Sequence, residues 1–386
     1  MLAVGLVALG ASACTLHRGG GGSTTPPKAI GRIQAPSQVK AGCGDAARSD
    51  PKDLSAERVV ARCGKGAPAA QKLPQPVPLR VGIRGRTEDL APVLLADALG
   101  ELAKENITVQ FVPIDDPTKL YDALGAGQLD AVVGDLDAPF FDLVDQGTGV
   151  KFVLGGAVAR GANNLAEAQP GFWIRSDQLT APDHFKDLEN DEFALQDGIV
   201  DAVADPITAV LRQDDLSLNE VHIVQADGAK AVKLLQEGKV TGAWLPEPDW
   251  RSVVGDQRFR MIATLPASES IGGVVLSARL TDHDRDRAVG LAFVRAIIRT
   301  INTDLANDYQ KDAKVMKALA TATGIDRKEL AATPPWLFDW ELRAFTTERM
   351  QTTFVQLGAV LYEEEIPERE IVDRTLYRDV IDAARG

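Results

Sequence analysis

Cysteine is scarce and poorly placed for chemistry. The chain of 386 residues has three, Cys14, Cys43 and Cys63, and none beyond. Everything after Cys63 therefore lacks a thiolate nucleophile and a cysteine-held metal. Histidine is nearly as rare. His17, His184, His222 and His283 show no ligand spacing, so no metal and no other cofactor is expected. Basic blocks are missing, as are strips of basic residues interleaved with aromatics. With Lys+Arg 42 against Asp+Glu 55 and a net charge of −13, generic nucleic-acid binding is excluded. There is no Gly-rich phosphate loop, since Arg84-Gly-Arg86 does not make one, and no nucleophile stands paired with a base. An enzyme is not expected.

What remains is a globular composition. Hydrophobic residues make up 45% and charged residues 25%, and the length leaves room for two domains. Leu2 to Ala13 is a run of apolar and small residues. It falls short of the ~20 residues that span a bilayer and fits the core of a secretory signal peptide over 1–13. Ala11-Ser12-Ala13 ahead of Cys14 resembles the lipobox of bacterial lipoproteins. That resemblance implies cleavage before Cys14 and a lipid anchor on it. An ordinary signal peptide with an incidental cysteine is the alternative. Residues 14–78 read as a tether, flexible through Gly19 to Gly22 and stiff at Pro74, Pro76 and Pro78. In an oxidising compartment Cys43 and Cys63 close a small disulfide loop; otherwise they are free thiols.

Beyond the tether one pattern occurs twice. Lys119 to Gly134 reads as a helix, a glycine stop and a short buried strand. Leu120, Ala123 and Leu124 recur at helical spacing, Gly127 suits the left-handed residue after a helix, and Leu129 to Val133 is an apolar run. Lys230 to Trp244 repeats it: Leu124 matches Leu235, Gly127 matches Gly238, Leu129 matches Val240 and Ala131 matches Gly242. The chain therefore builds one kind of unit in each of two lobes. Strands are expected at Leu79–Ile83, Ile107–Val112, Leu129–Val133 and Lys151–Leu154 in the first lobe. In the second they are expected at Gly171–Ile174, Phe193–Leu195, Val221–Val224, Val240–Trp244 and Phe259–Thr264. Helices lie between them, including one over Gly198 to Arg212. Such alternation gives right-handed parallel units and an α/β fold. Gly272–Leu276 is expected to return to lobe one, and a helical tail follows. Trp336, Phe338 and Trp340 read as a helix-packing cluster. The divisions are 79–165 for the first part of lobe one, 166–270 for lobe two, and 271–386 for the return strand and C-terminal helices packing on lobe one.

This order, with Val81-Gly-Ile83, Leu124-Gly-Ala-Gly-Gln-Leu-Asp-Ala131, Leu188-Glu-Asn-Asp-Glu-Phe-Ala194, Leu235-Gln-Glu-Gly-Lys-Val240 and Trp244-Leu-Pro-Glu-Pro248, resembles type II periplasmic binding proteins. Within them it is similar to the nitrate/sulfonate/taurine and thiamine-precursor group of ABC-transporter substrate-binding lipoproteins. The resemblance covers about Leu79 to Glu341. It implies a two-lobed fold of mixed, mostly parallel sheets with helices on both faces, and a small solute captured between the lobes. It also implies an ABC permease and ATPase as partners, a monomer, and a place on the extracytoplasmic face of the bacterial cytoplasmic membrane. A same-fold enzyme or a non-transporting sensor is the alternative.

Ligands of open α/β sheets bind beyond the carboxyl ends of the strands. Those ends are Arg84–Asp89, Asp115–Thr118, Gly134–Pro139 and Gly155–Arg160 in lobe one. In lobe two they are Gln196–Asp201, Gln225–Gly228 and Leu245–Asp249. Candidate ligand contacts are Arg84, Arg86 and Arg160 for an anionic group, and Asp115, Asp135, Asp137, Asp197 and Glu247 for a cation or hydroxyls. Trp244 is a stacking surface. Many of these acids also suit helix caps, and Glu247 suits a hinge. The mouth is acid-rich, which favours a nitrogen-containing or amphoteric solute over nitrate or a sulfonate.

Overall fold

The computed structural model describes residues 39–41, 60–62, 67–158, 170–181, 183–266, 269–282, 286–306, 308–332, 335–343 and 345–383. The expected signal peptide, Cys14, Cys43, Cys63 and Arg160 lie outside these. Val39–Ala41 pairs in parallel with Val60–Arg62.

Lobe one is built on β1 (Val77–Ile83), α1 (Ala91–Ala98), β2 (Ile107–Pro113), α2 (Pro117–Gly125), β3 (Ala131–Asp135), α3 (Ala138–Asp145) and β4 (Lys151–Gly155). Lobe two follows as β5 (Gly171–Arg175), β6 (Glu192–Leu195), α4 (Ala204–Leu211), β7 (His222–Gln225), α5 (Gly228–Gln236), β8 (Gly242–Leu245) and β9 (Phe259–Thr264). Then β10 (Gly272–Leu276) returns to lobe one, ahead of α6 (Arg287–Thr303), α7 (Ala313–Thr323), α8 (Thr346–Leu357) and α9 (Thr375–Ala383).

The two sheets share one topology. Their orders are β2-β1-β3-β10-β4 and β7-β6-β8-β5-β9. In each, a single strand runs against the other four: β10 is antiparallel to β3 and β4, and β5 to β8 and β9. Each reversed strand has crossed from the other lobe, so each lobe is completed by the other's connection. All five residues of β10 are buried. Burying Val274, Val275 and Leu276 contributes roughly 1.5–3 kcal/mol each towards holding the returning chain.

The repeated unit is legible atom by atom. Asp116 caps α2 by accepting from the Lys119 N–H at 3.1 Å, and Asp227 caps α5 by accepting from the Lys230 N–H at 2.9 Å. Gly127 and Gly238, just beyond the two helices, share φ 69°. An L side chain is strained there, which is why glycine stands at both.

Two sequence expectations change. The helix over Gly198 to Arg212 begins only at Ala204. Gly198 itself has φ 69°, which a helix does not accommodate. Of Trp336, Phe338 and Trp340, expected as a helix-packing cluster, Trp340 packs on helices: its ring lies 5.5 Å from that of Tyr377 in α9 and its Nε1 donates to Asn302 of α6 at 3.1 Å. Phe338 instead belongs to a short strand, Leu337–Phe338, antiparallel to Ala157–Val158.

α6 carries a charge pair into the interior of lobe one. Arg295 Nη2 lies 2.8 Å from Glu105 Oε2, Arg299 Nη1 lies 2.8 Å from Glu105 Oε1, and Arg299 Nε lies 2.6 Å from Glu101 Oε2. The same guanidinium groups donate to the Gln71 and Pro68 carbonyls at 3.2 and 3.3 Å, so the segment before β1 is fastened to the lobe. The Glu105 side chain is fully buried. Glu105→Ala is expected to lower unfolding free energy by about 3–5 kcal/mol, because it strands the buried Arg295 guanidinium and leaves Arg299 with Glu101 alone. A urea denaturation showing a loss under about 1 kcal/mol would contradict that role.

Candidate functional site

The carboxyl ends of the two sheets meet in one cavity of about 360 Å³. That is within the usual range for small-ligand pockets. Six of the seven expected strand ends line it; the absent one is Asp115–Thr118. Polar lining comes from Arg84, Thr87, Asp89, Asp135, Gln196, Asp201, Glu247 and Ser270. Trp244 and Trp336, with Leu90, Val203 and Leu265, give it apolar wall.

Arg84 leaves the end of β1 and meets carboxylates from both lobes. Its Nη2 pairs with Asp197 of lobe two, its Nη1 lies 3.6 Å from Asp137 and 3.9 Å from Asp201, and its Nε donates to the Asp115 carbonyl at 2.9 Å. Burial alone would lower its pKa, but the charges of Asp137, Asp201 and Asp197 outweigh that and hold it above the ordinary guanidinium value. Asp137, almost fully buried, also accepts from the Ala202 N–H of lobe two at 2.9 Å. Burial pushes the Asp137 carboxyl well up, with Asp201 adding to it and Arg84 opposing. Asp201 is also raised, first by burial. The cluster is thus a lobe-to-lobe clasp in which the one arginine is already fully engaged.

Asp135 is different. It ends β3, lines the cavity, and forms no ion pair or side-chain hydrogen bond among the described residues. Its Oδ1 lies where any side chain at position 272 would stand, 2.5 Å from an ideal Gly272 Cβ, so glycine there leaves it room. Burial pushes Asp135 up to about 7, helped by the charges of Asp89 and Asp201 against the pull of Arg84. Asp89 is raised by burial as well, against the pull of hydrogen bonds from the Thr87 side chain and its own backbone. Glu88 lies just behind, buried, accepting from the Tyr309 hydroxyl at 2.7 Å. Burial raises it to about 7 despite that hydrogen bond.

Glu247 reaches the lining, but its carboxylate is held within lobe two. It accepts from Trp250 Nε1 at 2.7 Å and lies 2.6 Å from Arg251 Nη2. Arg86 does not line the cavity: it donates to the Ala322 carbonyl at 3.3 Å and stacks 4.9 Å over Phe111. Asp115 contributes only its backbone carbonyl, to Arg84. Of the expected contacts, therefore, Arg84, Asp135, Trp244 and Glu247 reach the cavity, while Asp137 and Asp197 stand behind Arg84. Trp336, Ser270 and Gln196 were not singled out from sequence. Trp336 had a signal, the strand spacing of its aromatic run. Ser270 and Gln196 had none beyond lying beside strand ends.

Three helix N-termini around this mouth are poor anion sites. Pro occupies the second position of α1 and α3, which removes a free N–H, and α5 is capped by its own aspartate.

The raised Asp135 carboxyl makes a stability prediction. Its folded value, about 7, lies above its ordinary 3.8. The stability it contributes as a neutral group is complete below that ordinary value and is lost as pH rises through about 7. Asp135→Asn should therefore melt on the order of a few degrees higher than wild type at pH 8, with the gap closing towards pH 4. A variant less stable at pH 8 than at pH 4, relative to wild type, would refute the assignment.

No protein-family model and no curated protein sequence matches the chain. Solved structures do. The alkanesulfonate-binding protein SsuA from Xanthomonas axonopodis pv. citri, bound to MOPS, superposes with TM-score 0.53 at 18% identity, over 80% of this chain and 99% of that one. The periplasmic aliphatic sulphonate binding protein SsuA from Escherichia coli gives 0.55 at 17%, over 78% and 92%. The periplasmic nitrate-binding protein NrtA from Synechocystis gives 0.53 at 12%, over 82% and 90%. With two sheets of shared topology, one crossing strand in each and the cavity between their carboxyl ends, the chain has the two-lobed fold of the periplasmic binding proteins.

Proposed function

We propose that this chain is an extracytoplasmic solute-binding protein of an ABC importer. It takes a small organic solute into the cavity between its lobes and delivers it to a permease and ATPase. The observation that carries this reading is the convergence of six strand ends, from both lobes, on one cavity. In open α/β sheets such ends are where ligands bind. The solved structures of the same fold described above are named as sulfonate- and nitrate-binding proteins. An enzymatic reading has less support: Asp137, Asp197 and Asp201 form a clasp with Arg84, and the Ser270 hydroxyl in the lining is engaged by the Gly156 and Gly272 backbone rather than by a base.

The solute is nitrogen-containing or amphoteric, supported by the carboxylates in the lining and by an arginine that is already engaged. The chain acts as a monomer, anchored through a lipid on Cys14 at the outer face of the cytoplasmic membrane and leashed by residues 14–78. Among the described residues no helix is long and apolar enough to cross a membrane. A Cys43–Cys63 disulfide is supported by the parallel pairing of Val39–Ala41 with Val60–Arg62, strands that end just before the two cysteines.

Trp244 and Trp336 both line the cavity, so a bound solute should change tryptophan emission. In a titration with amines, pyrimidines, sulfonates and nitrate, at least one class is expected to give a saturable change. Trp244→Phe with Trp336→Phe should abolish it. If no class gives a saturable signal or a thermal shift, the receptor reading fails. Radiolabelled palmitate should enter the wild-type protein and not Cys14→Ala; labelling that persists in the variant would sink the anchor.

A further inference from the structure

We infer that the bound solute carries a positive charge, seated in the inter-lobe cavity against the unpaired carboxylate of Asp135, with Asp89 beside it, and flanked by the Trp244 and Trp336 side chains. This rests on the receptor reading and deepens it. Four observations carry it together.

First, among the described residues lining this cavity Arg84 is the only Lys, Arg or His. An anionic ligand would need it, yet its Nη2, Nη1 and Nε face Asp197, Asp137 with Asp201, and the Asp115 carbonyl. Pulling it towards a sulfonate would leave the almost fully buried Asp137 carboxylate with no cation within reach. Second, the other usual anion donors, free N–H groups at helix N-termini, are reduced by the prolines of α1 and α3 and by the cap of α5. Third, Asp135 is half-buried and faces the cavity without an ion pair or side-chain hydrogen bond among the described residues, beside a glycine that keeps its carboxylate clear. A carboxyl drawn out of bulk water and given no protein partner is costly, and a ligand cation would complete it. Fourth, two indoles line the same space, and indole faces attract cations.

The charge balance also sets a pH dependence. Arg84 at the end of β1, Asp89 ahead of α1, Asp137 ahead of α3 and Asp201 ahead of α4 act on Asp135, and Glu247 after β8 lines the same cavity. Arg84 is engaged by the clasp and Glu247 by Arg251, so the charges around a cation at Asp135 are mostly carboxylates. Burial and its acidic neighbours leave Asp135 titrating near 7 in the empty cavity. Cation binding should therefore release a proton, and affinity should fall as pH drops below about 7.

The test is isothermal titration calorimetry of the full chain with three cations, choline, benzamidine and putrescine. Its comparison probes are 3,3-dimethylbutan-1-ol, a neutral isostere of choline, and two anions, ethanesulfonate and nitrate. At least one cation is expected to bind with Kd below roughly 1 mM, and no anion to do so. Choline, if it binds, should exceed its isostere by about tenfold or more. Asp135→Asn should weaken cation binding by about tenfold or more while its melting temperature at pH 8 rises, which separates lost contact from lost fold. Glu348→Gln, on the exposed side of α8, should bind as wild type does. Anion binding with no cation binding would overturn the charge assignment and leave the receptor reading standing. Cation binding unaltered by both Asp135→Asn and Asp89→Asn would overturn the site. If neither these probes nor any solute of the wider fluorescence screen binds, both readings fall.

Discussion

A buried guanidinium must be neutralised, and here the neutralising charges come largely from the other lobe. Arg84 stands at the end of β1, and two of its three carboxylate neighbours, Asp197 and Asp201, belong to lobe two. Asp137 of lobe one returns the contact by accepting from the Ala202 N–H. Removing any one of these groups leaves another buried charge unbalanced, so the lobes are coupled electrostatically where the cavity begins. Beside the cavity wall, next to the lining residues Val203 and Ser270, α8 reinforces the coupling. Its Arg349 pairs with Asp205 of lobe two and lies 2.5 Å from Glu269 near the strand that returns to lobe one. Everything inferred about the solute follows from Arg84 being spent: the unpaired acids, not the arginine, are what the cavity has left to offer.

Much of this architecture was legible in the sequence because the repeated unit is specified by local chemistry. An aspartate cap, an apolar helical face, a glycine with positive φ and a short apolar strand need no tertiary information to recognise. They recur at a constant offset, and the structure reproduces both copies with the same capping hydrogen bond. Strand ends were legible for the same reason, and with them the position of the cavity.

The allocation of charges was not legible. Arg84 and Arg86 look alike in sequence, two residues apart on the same strand end. One turns into the clasp and the other lies over Phe111, a difference set by which partners tertiary packing brings near. Likewise Asp135 and Asp137 differ only in which side of the chain they leave. Asp135, the last residue of β3, opens on the cavity, and Asp137 goes behind Arg84. Trp336 was grouped with Phe338 and Trp340 as helix packing because a helical tail surrounds them; Trp340 does pack on helices, while Trp336 lines the cavity.

A co-crystal structure with whichever organic cation binds most tightly bears on the central claim most directly. The account predicts a cationic nitrogen within about 4 Å of an Asp135 carboxylate oxygen, Arg84 still engaged by Asp137, Asp197 and Asp201, and both lobes touching the ligand. A ligand bound outside the inter-lobe cavity, or one whose anionic group has displaced those aspartates from Arg84, would contradict it.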